Sequence, residues 1–350
     1  MLDEDKLAEI EALRAEARPT RRAVAPALEA ILYEPLKVLD HGFVRVVDYM
    51  GDDAGIVQAA RVSYGRGTKQ VSSDRGLINY LMRHRHTSPF EMCEIKLHLK
   101  MPIFVARQWI RHRTANVNEY SARYSILERE FYLPDRGYLE ETRAARKVER
   151  HQGQGQHDLF GVAGGGGPEH TAPQSRTNKQ GREAEAVGAD EAAAALDTIT
   201  KLTDRAYRDY TRLLNEDAAG RVLDPERQGI ARELARMVLP LNIYTQMYWK
   251  VDLHNLLHFL QLRADSHAQH EIRAYADVLL DIVRRWVPLT AAAFEEYRRG
   301  AAQLSARSLE AVRRRLRGER VTREEVGLSA GEWRELLRVV PELADGPEPD

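Results

Sequence analysis

At 350 residues, with 43% hydrophobic and 30% charged side chains, the chain has the make-up of a soluble globular protein of one large domain or two ordinary ones. Its 52 basic and 53 acidic residues leave a formal net charge of −1, which excludes a global field that gathers nucleic acid, so any anion site must be local. One cysteine excludes an intramolecular disulfide framework and a multi-cysteine zinc site, and fits a reducing compartment.

Residues 1–38 read as an N-terminal extension. Leu7, Ile10, Leu13 and Ala17 recur at helical spacing, and the run from Arg18 to Arg22 around Pro19 ends that helix. Charges alternate from Met1 to Arg22 with no apolar segment between them, so this is not a signal peptide. Nowhere is an apolar run long enough to span a bilayer. The expected location is cytoplasmic, with no membrane partner. Gly42 to Asp48 alternates and is Val-rich, which predicts a strand. Asp52 to Val62 predicts a helix with acidic residues at its positive end, leading to Ser63 and Tyr64. Gly65 to Ser73 predicts a loop, with Ser73 and Asp74 capping a helix through Leu77, Ile78, Leu81 and Met82.

The run from Glu91 to Met101 is the clearest strand pattern. Cys93, Ile95, Leu97, Leu99 and Met101 share one face, while Glu94, Lys96, His98 and Lys100 share the other. That alternation predicts a half-buried antiparallel strand, and it makes Cys93 a packing residue rather than a nucleophile. Met101 to Ile110 predicts a short buried helix opened by Pro102. The following segment, carrying Asn118, Glu119, Ser121 and Arg123, favours loop or turn geometry. Glu130 to Pro134 predicts a short strand stopped by proline.

Composition shifts over residues 141–190, where Gln and Gly alternate from Gln152 to Gln156 and four glycines stand together at 164–167. Such a stretch buries too little apolar surface to order itself, so it reads as a flexible insertion. From Glu191 the pattern is helical again, with Leu196, Ile199, Leu202, Ala206, Tyr210 and Leu213 spaced for one buried face. Ala231 to Val238 predicts a helix bearing Glu233 and Arg236, and Leu241 to Val251 a strand. Leu253 to Leu262 predicts a helix, and a longer one follows with Ile272, Tyr275, Leu279, Ile282 and Trp286 inward. Residues 299–350 read as a C-terminal helical extension, in which Arg313, Arg314 and Arg315 are a solvated face. The domain proper is then 39–298. Pattern alone gives an α+β class.

The run Arg111-His112-Arg113, followed after seven residues by Ser121 and then Arg123, admits two readings from residue types alone. It is a solvated charged helix end, or a site for an anion and a heterocycle, since guanidinium forks suit phosphate and the carbonyl edge of a base. Two further classes compete. A metal-dependent hydrolase would use His84, His86, His254 and His258, although His-x-His is common and no thiolate joins the set. A nucleic-acid-binding module would use Arg83 to Arg85 and Arg111 to Arg113, but lacks a basic stripe.

The same run resembles the signature of the flavin-dependent thymidylate synthases. Four places carry the resemblance: Ala60 to Ser63; His86 to Glu91; Arg107 to Arg113, continuing to Arg123; and Leu239 to Asn242 together with Leu262 to Gln269. It covers roughly residues 40–134 and 190–298. The implied activity is reductive methylation of dUMP to dTMP, with FAD as cofactor and NADPH and methylenetetrahydrofolate as co-substrates. The implied fold is a twisted antiparallel sheet surrounded by helices, one main domain, in a homotetramer with its sites between subunits. No metal, nucleic acid or cysteine nucleophile is implied.

By the same resemblance, Gln108, Trp109, Ile110, Arg111, Glu119, Tyr120, Ser121, Ala122, Arg123, Arg236 and Arg263 would hold dUMP. Arg263 is the implied catalytic residue, since a guanidinium at the pyrimidine edge favours loss of the N3 proton. Ser63, Ser88, Arg111, His112, Arg113, Asn118, Glu119, Asp252, Leu253, His254 and His258 would hold FAD. No G-x-G-x-x-G is present, so the flavin would not sit in a Rossmann unit. The chain departs from some members at Asp252, His254 and His258, where those carry Asn, Arg and Asn. The Ala172 to Arg182 stretch resembles a mobile loop beside the family's site.

Overall fold

The computed structural model describes residues 4–16, 19, 21–62, 71–134, 189–265 and 267–344. Ser63, the Ala172 to Arg182 stretch and residues 141–188 of the expected insertion lie outside them. The chain forms two compact units, residues 1–294 and 295–350.

The first unit is built on one five-stranded sheet: β1 (Leu36–Val38), β2 (Gly42–Met50), β3 (Glu94–Pro102), β4 (Asn116–Glu119) and β5 (Tyr244–Asp252). Their order is β1-β2-β3-β5-β4, and every neighbouring pair is antiparallel. The long strands are rich in β-branched and aromatic residues, which suit a pleated, half-buried surface. The helices are α1 (Glu4–Ala15), α2 (Pro26–Glu29), α3 (Asp53–Val62), α4 (Val71–Arg83), α5 (Ser88–Glu91), α6 (Ile103–Trp109), α7 (Ala189–Leu214), α8 (Arg232–Ala235), α9 (Leu253–Arg263), α10 (His270–Trp286) and α11 (Pro288–Phe294).

One face of the sheet is apolar. Val44 and Val46 of β2, Ile95, Leu97 and Leu99 of β3, and Met247, Trp249 and Val251 of β5 are all buried. Helix α10 covers that face with Ile272, Tyr275, Leu279, Ile282 and Trp286, as its spacing predicts. Tyr275 donates to Lys100 O at 2.6 Å. Gly42 is required at this crossing, because a Cβ there would meet the Tyr275 hydroxyl and two backbone oxygens. Asp53 fastens α11, accepting from the backbone N–H of Leu289 and Thr290 at 2.8 and 3.0 Å and from the Thr290 hydroxyl. An acceptor over otherwise orphaned N–H groups is worth about 1 kcal/mol.

The other face is polar. Register places Arg45, His98, Tyr248 and Asn118 in one row across β2, β3, β5 and β4. Arg45 donates to His98 Nδ1 at 2.7 Å, so His98 Nε2 carries the proton and donates to Gln246 Oε1 at 3.0 Å. Burial, then the Arg45 charge, pushes the His98 pKa down to about 4. His98 is therefore neutral when folded, and the unfolded chain binds the extra proton between its ordinary pKa near 6.5 and about 4. That contribution is whole above pH 6.5 and is lost as pH falls toward 4. Thermal melts are expected to show His98→Gln losing less stability than the parent chain between pH 7 and pH 5. Equal losses would contradict a neutral, arginine-bound His98.

Several local expectations need correction. Helix α4 begins at Val71, so Ser73 and Asp74 lie inside its first turn. Asp74 instead pairs with Arg61 at 2.9 Å. Asn118 and Glu119 are not in a loop but in edge strand β4, paired with Tyr248 and Met247. Glu130 to Pro134 is not a strand; it makes a single bridge, Phe131 to Ile243. The buried face of α7 is Ala192, Thr203, Tyr207, Tyr210 and Leu214, while Ile199 and Leu202 are exposed.

The second unit has α12 (Ala306–Leu316) and α13 (Ala330–Val339), packed through Ala311, Val321, Leu328, Leu336 and Leu343. Ser329 and Glu332 make a reciprocal capping box at the start of α13. Of the three adjacent arginines, only Arg313 belongs wholly to a solvated face. Arg314 pairs with Glu319 and Glu325, and Arg315 donates to Glu342 O.

Candidate active site

Helix α6 leaves β3 at Pro102, which supplies its N-cap, and buries Val105, Ala106 and Trp109. The Trp109 indole is fully buried, 4.4 Å from the Phe259 ring centroid and 5.2 Å from that of Trp249. This anchor fixes where the next residues emerge. His112 N–H donates to Trp109 O at 3.1 Å, so the chain turns and the Arg-His-Arg side chains part.

Arg111 and Arg113 project into an open groove of about 800 Å³, lined also by Ile103, Ala106, Arg107, Ile110 and Glu119. Neither makes an ion pair among the described residues. His112 turns the other way, toward α9. Its ring lies 4.8 Å from Phe259 and 5.8 Å from His258, and its Nε2 accepts from Arg263 Nε at 3.2 Å. Burial, then Arg263 and His258, pushes the His112 pKa down to about 4, so the ring is a neutral acceptor near pH 7.

Arg263 ends α9 and is half-buried, which lowers its own pKa, although a guanidinium stays charged at any working pH. With Nε held by His112, its two Nη groups form a free fork; no described residue accepts from them. Gln108, near the end of α6, donates to Gln269 Oε1.

Asn118 and Glu119 lie on opposite faces of β4, since successive strand side chains alternate. Asn118 joins the polar row, whereas Glu119 lines the groove and accepts from Thr245 Oγ1 at 2.8 Å. Tyr120 N–H continues the pairing to Gln246 O at 2.8 Å. A turn through Ser121, Ala122 and Arg123 follows, with the Arg123 N–H donating to Ser121 Oγ at 3.3 Å and its guanidinium over Tyr124. Arg232 ties that turn to α8 by donating to Tyr124 O at 2.7 Å. Arg236, one turn further on, is exposed.

The structure thus gathers the sequence candidates into separate patches. His112, His258 and Arg263 stand together; Gln108 is joined to Gln269; Ile110, Arg111, Arg113 and Glu119 line the groove; Ser121 and Arg123 form the turn, and Arg236 is exposed just past α8, whose Arg232 ties to that turn. Among the described residues, no hydrogen bond or ion pair joins the Ser121 to Arg123 turn to Arg263. Ser88 is exposed at the start of α5. Asp252 caps α9, with both carboxylate oxygens taken by Asn255, and His254 is half-buried in the helix's first turn. Leu253 is fully buried and its N–H donates to Cys93 O, so, like Trp109, it positions its neighbours rather than offering a surface.

Arg107, Gln269 and Glu271 went unassigned in the sequence. A signal for the last existed: Glu271 heads the otherwise apolar face of α10. Among the described residues, no group of three or more His, Cys, Asp or Glu side chains is placed to hold a metal ion. Cys93 is buried, and its thiol is pushed up to about 12 by burial and then by Asp52 and Asp53. That leaves essentially no thiolate at neutral pH.

Residues 45–289 match the family model described as thymidylate synthase complementing protein. A flavin-dependent thymidylate synthase from Rickettsia bellii is 55% identical over 92% of this chain and 98% of its own length. One from Ruegeria pomeroyi is 55% identical over 97% of this chain and 99% of its own. Among solved structures, a UMP/dUMP methylase PolB from Streptomyces cacaoi, bound with 5-Br dUMP, superposes with a TM-score of 0.56. It is 30% identical, covering 75% of this chain and 99% of that one.

Proposed function

The chain belongs to the thymidylate synthase complementing proteins, the flavin-dependent thymidylate synthases, and from that premise we infer that it methylates dUMP to dTMP with FAD, NADPH and methylenetetrahydrofolate. The observation that carries the assignment of residues is the Arg263 fork, braced by a neutral His112 that in sequence separates Arg111 from Arg113, which make no ion pair among the described residues.

Unpaired guanidinium groups along an exposed stretch fit a ligand with a pyrophosphate, and this supports Arg111 and Arg113 as holders of FAD. His112, His258, His254 and Ser88 would complete that pocket. Bound flavin would supply the reducing equivalents that turn the transferred one-carbon unit into a methyl group. Toward the nucleotide, Ser121 and Arg123 offer hydroxyl, N–H and guanidinium donors to a phosphate, with Arg236 adding charge. Arg263 would bind the pyrimidine edge. A cation there stabilises the ring after loss of its N3 proton, and the negative charge raises electron density at C5. The methylation then requires no enzyme nucleophile, which agrees with a buried, protonated Cys93.

The separation of the Ser121 turn from Arg263, with Arg123 exposed and Arg263 only half-buried, supports a site completed by a second copy of the chain. A homotetramer provides that geometry. Tritium release from dUMP labelled at C5, with dTMP formed, is expected only when NADPH and methylenetetrahydrofolate are both supplied. Cys93→Ala is expected to retain most of that rate. Absence of dTMP with both co-substrates present would refute the reaction, and an inactive but folded Cys93→Ala would refute the nucleophile-free route.

A further inference from the structure

We propose that Glu271 is a positioning residue that fixes the direction of the Gln108 side chain, so that Gln108 meets the nucleotide as a hydrogen-bond acceptor. The inference rests on the reading that dUMP lies against Gln108. Glu271 is 2% exposed and sits in the first turn of α10, where the helix dipole favours a carboxylate. Its two oxygens receive different donors: Tyr132 Oη–H at 3.3 Å on Oε1 and Gln269 Nε2–H at 2.7 Å on Oε2.

A carboxylate only accepts, so Gln269 must aim its NH2 end at Glu271. Its Oε1 then faces Gln108, and Gln108 must answer with Nε2. Reversing either amide would set donor against donor or acceptor against acceptor. One buried charge thereby orients two amides in series. Gln108 spends an N–H inward and turns its Oε1 away, and no described residue donates to that oxygen. The nucleotide group that fits it is a hydroxyl or ring N–H; a phosphate or carbonyl oxygen does not.

The test is dUMP binding to the flavin-loaded full chain. Glu271→Gln can present either end of its amide to Gln269, so the direction is lost, and the Kd for dUMP is expected to rise about tenfold. Flavin content should stay unchanged. In the double variant Gln269→Glu with Glu271→Gln, residue 269 accepts from both neighbours, and the Kd is expected to return close to the parent value. That rescue is not expected if Glu271 only supports the fold. A parent-like Kd in Glu271→Gln, or a double variant that folds yet stays equally weak, overturns the proposal. Should Glu271→Gln fail to fold, Gln269→Leu severs the relay without touching the buried carboxylate. It must then weaken dUMP by the same factor, and an unchanged Kd overturns the relay. If the parent chain itself binds no dUMP, the nucleotide-site reading fails instead.

Discussion

Arg263→Ala is expected to keep its flavin and lose turnover, with kcat down roughly 10²–10³-fold, the scale for removing a donor aimed at developing charge. The guanidinium is half-buried, with Nε committed to His112 and no described residue accepting from its Nη fork. Truncation removes the one cation assigned to the pyrimidine edge while leaving Arg111 and Arg113 in the groove. Arg263→Lys should recover little, because an ammonium is a point charge on a flexible stem and cannot present a planar fork. Steady-state kinetics with a flavin count separate the possibilities. Retained activity in Arg263→Ala would refute the N3 role, and parallel loss of flavin would make Arg263 a cofactor residue.

Trp109→Ala is expected to cost about 3–5 kcal/mol of stability and to lower Tm on the order of 10 °C. The indole is 0% exposed and touches Trp249, Phe259 and Tyr275, which come from β5, α9 and α10. It holds α6 against the sheet, and α6 aims Gln108, Arg111 and His112. Trp109→Phe keeps a buried aromatic there, so its KM for dUMP should stay within about twofold. The melting curve and KM together decide between anchor and contact. A folded, stable Trp109→Ala with a raised KM would return Trp109 to the nucleotide surface.

Strand β3 and helix α10 were legible in the sequence because each buries one face in the core, and burial imprints a period of two or 3.6. Strand β4 carried no such mark. Asn116, Val117, Asn118 and Glu119 are all exposed, and their extended form comes from the backbone of β5, which residue types do not announce. On α7 the apolar residues misled. Tyr207 and Tyr210 pack on Phe131 and Leu127, and Thr203 is buried where it meets Asn242, which turns Ile199 and Leu202 outward. The site divides in the same way. Arginines at motif spacing were visible, but the contact of Arg263 with His112 spans 151 residues and depends on α9 passing behind α6. The relay through Gln269 to Glu271 was hidden for a related reason. Its meaning lies in which atom donates, and that is set by burial of the carboxylate rather than by position in the chain.

The absorption spectrum of the purified protein tests the flavin assignment most directly. The expected result is a yellow protein with a flavin band in the blue, from which denaturation releases FAD, and whose band changes shape when dUMP is added. A colourless protein that takes up no added FAD would contradict it.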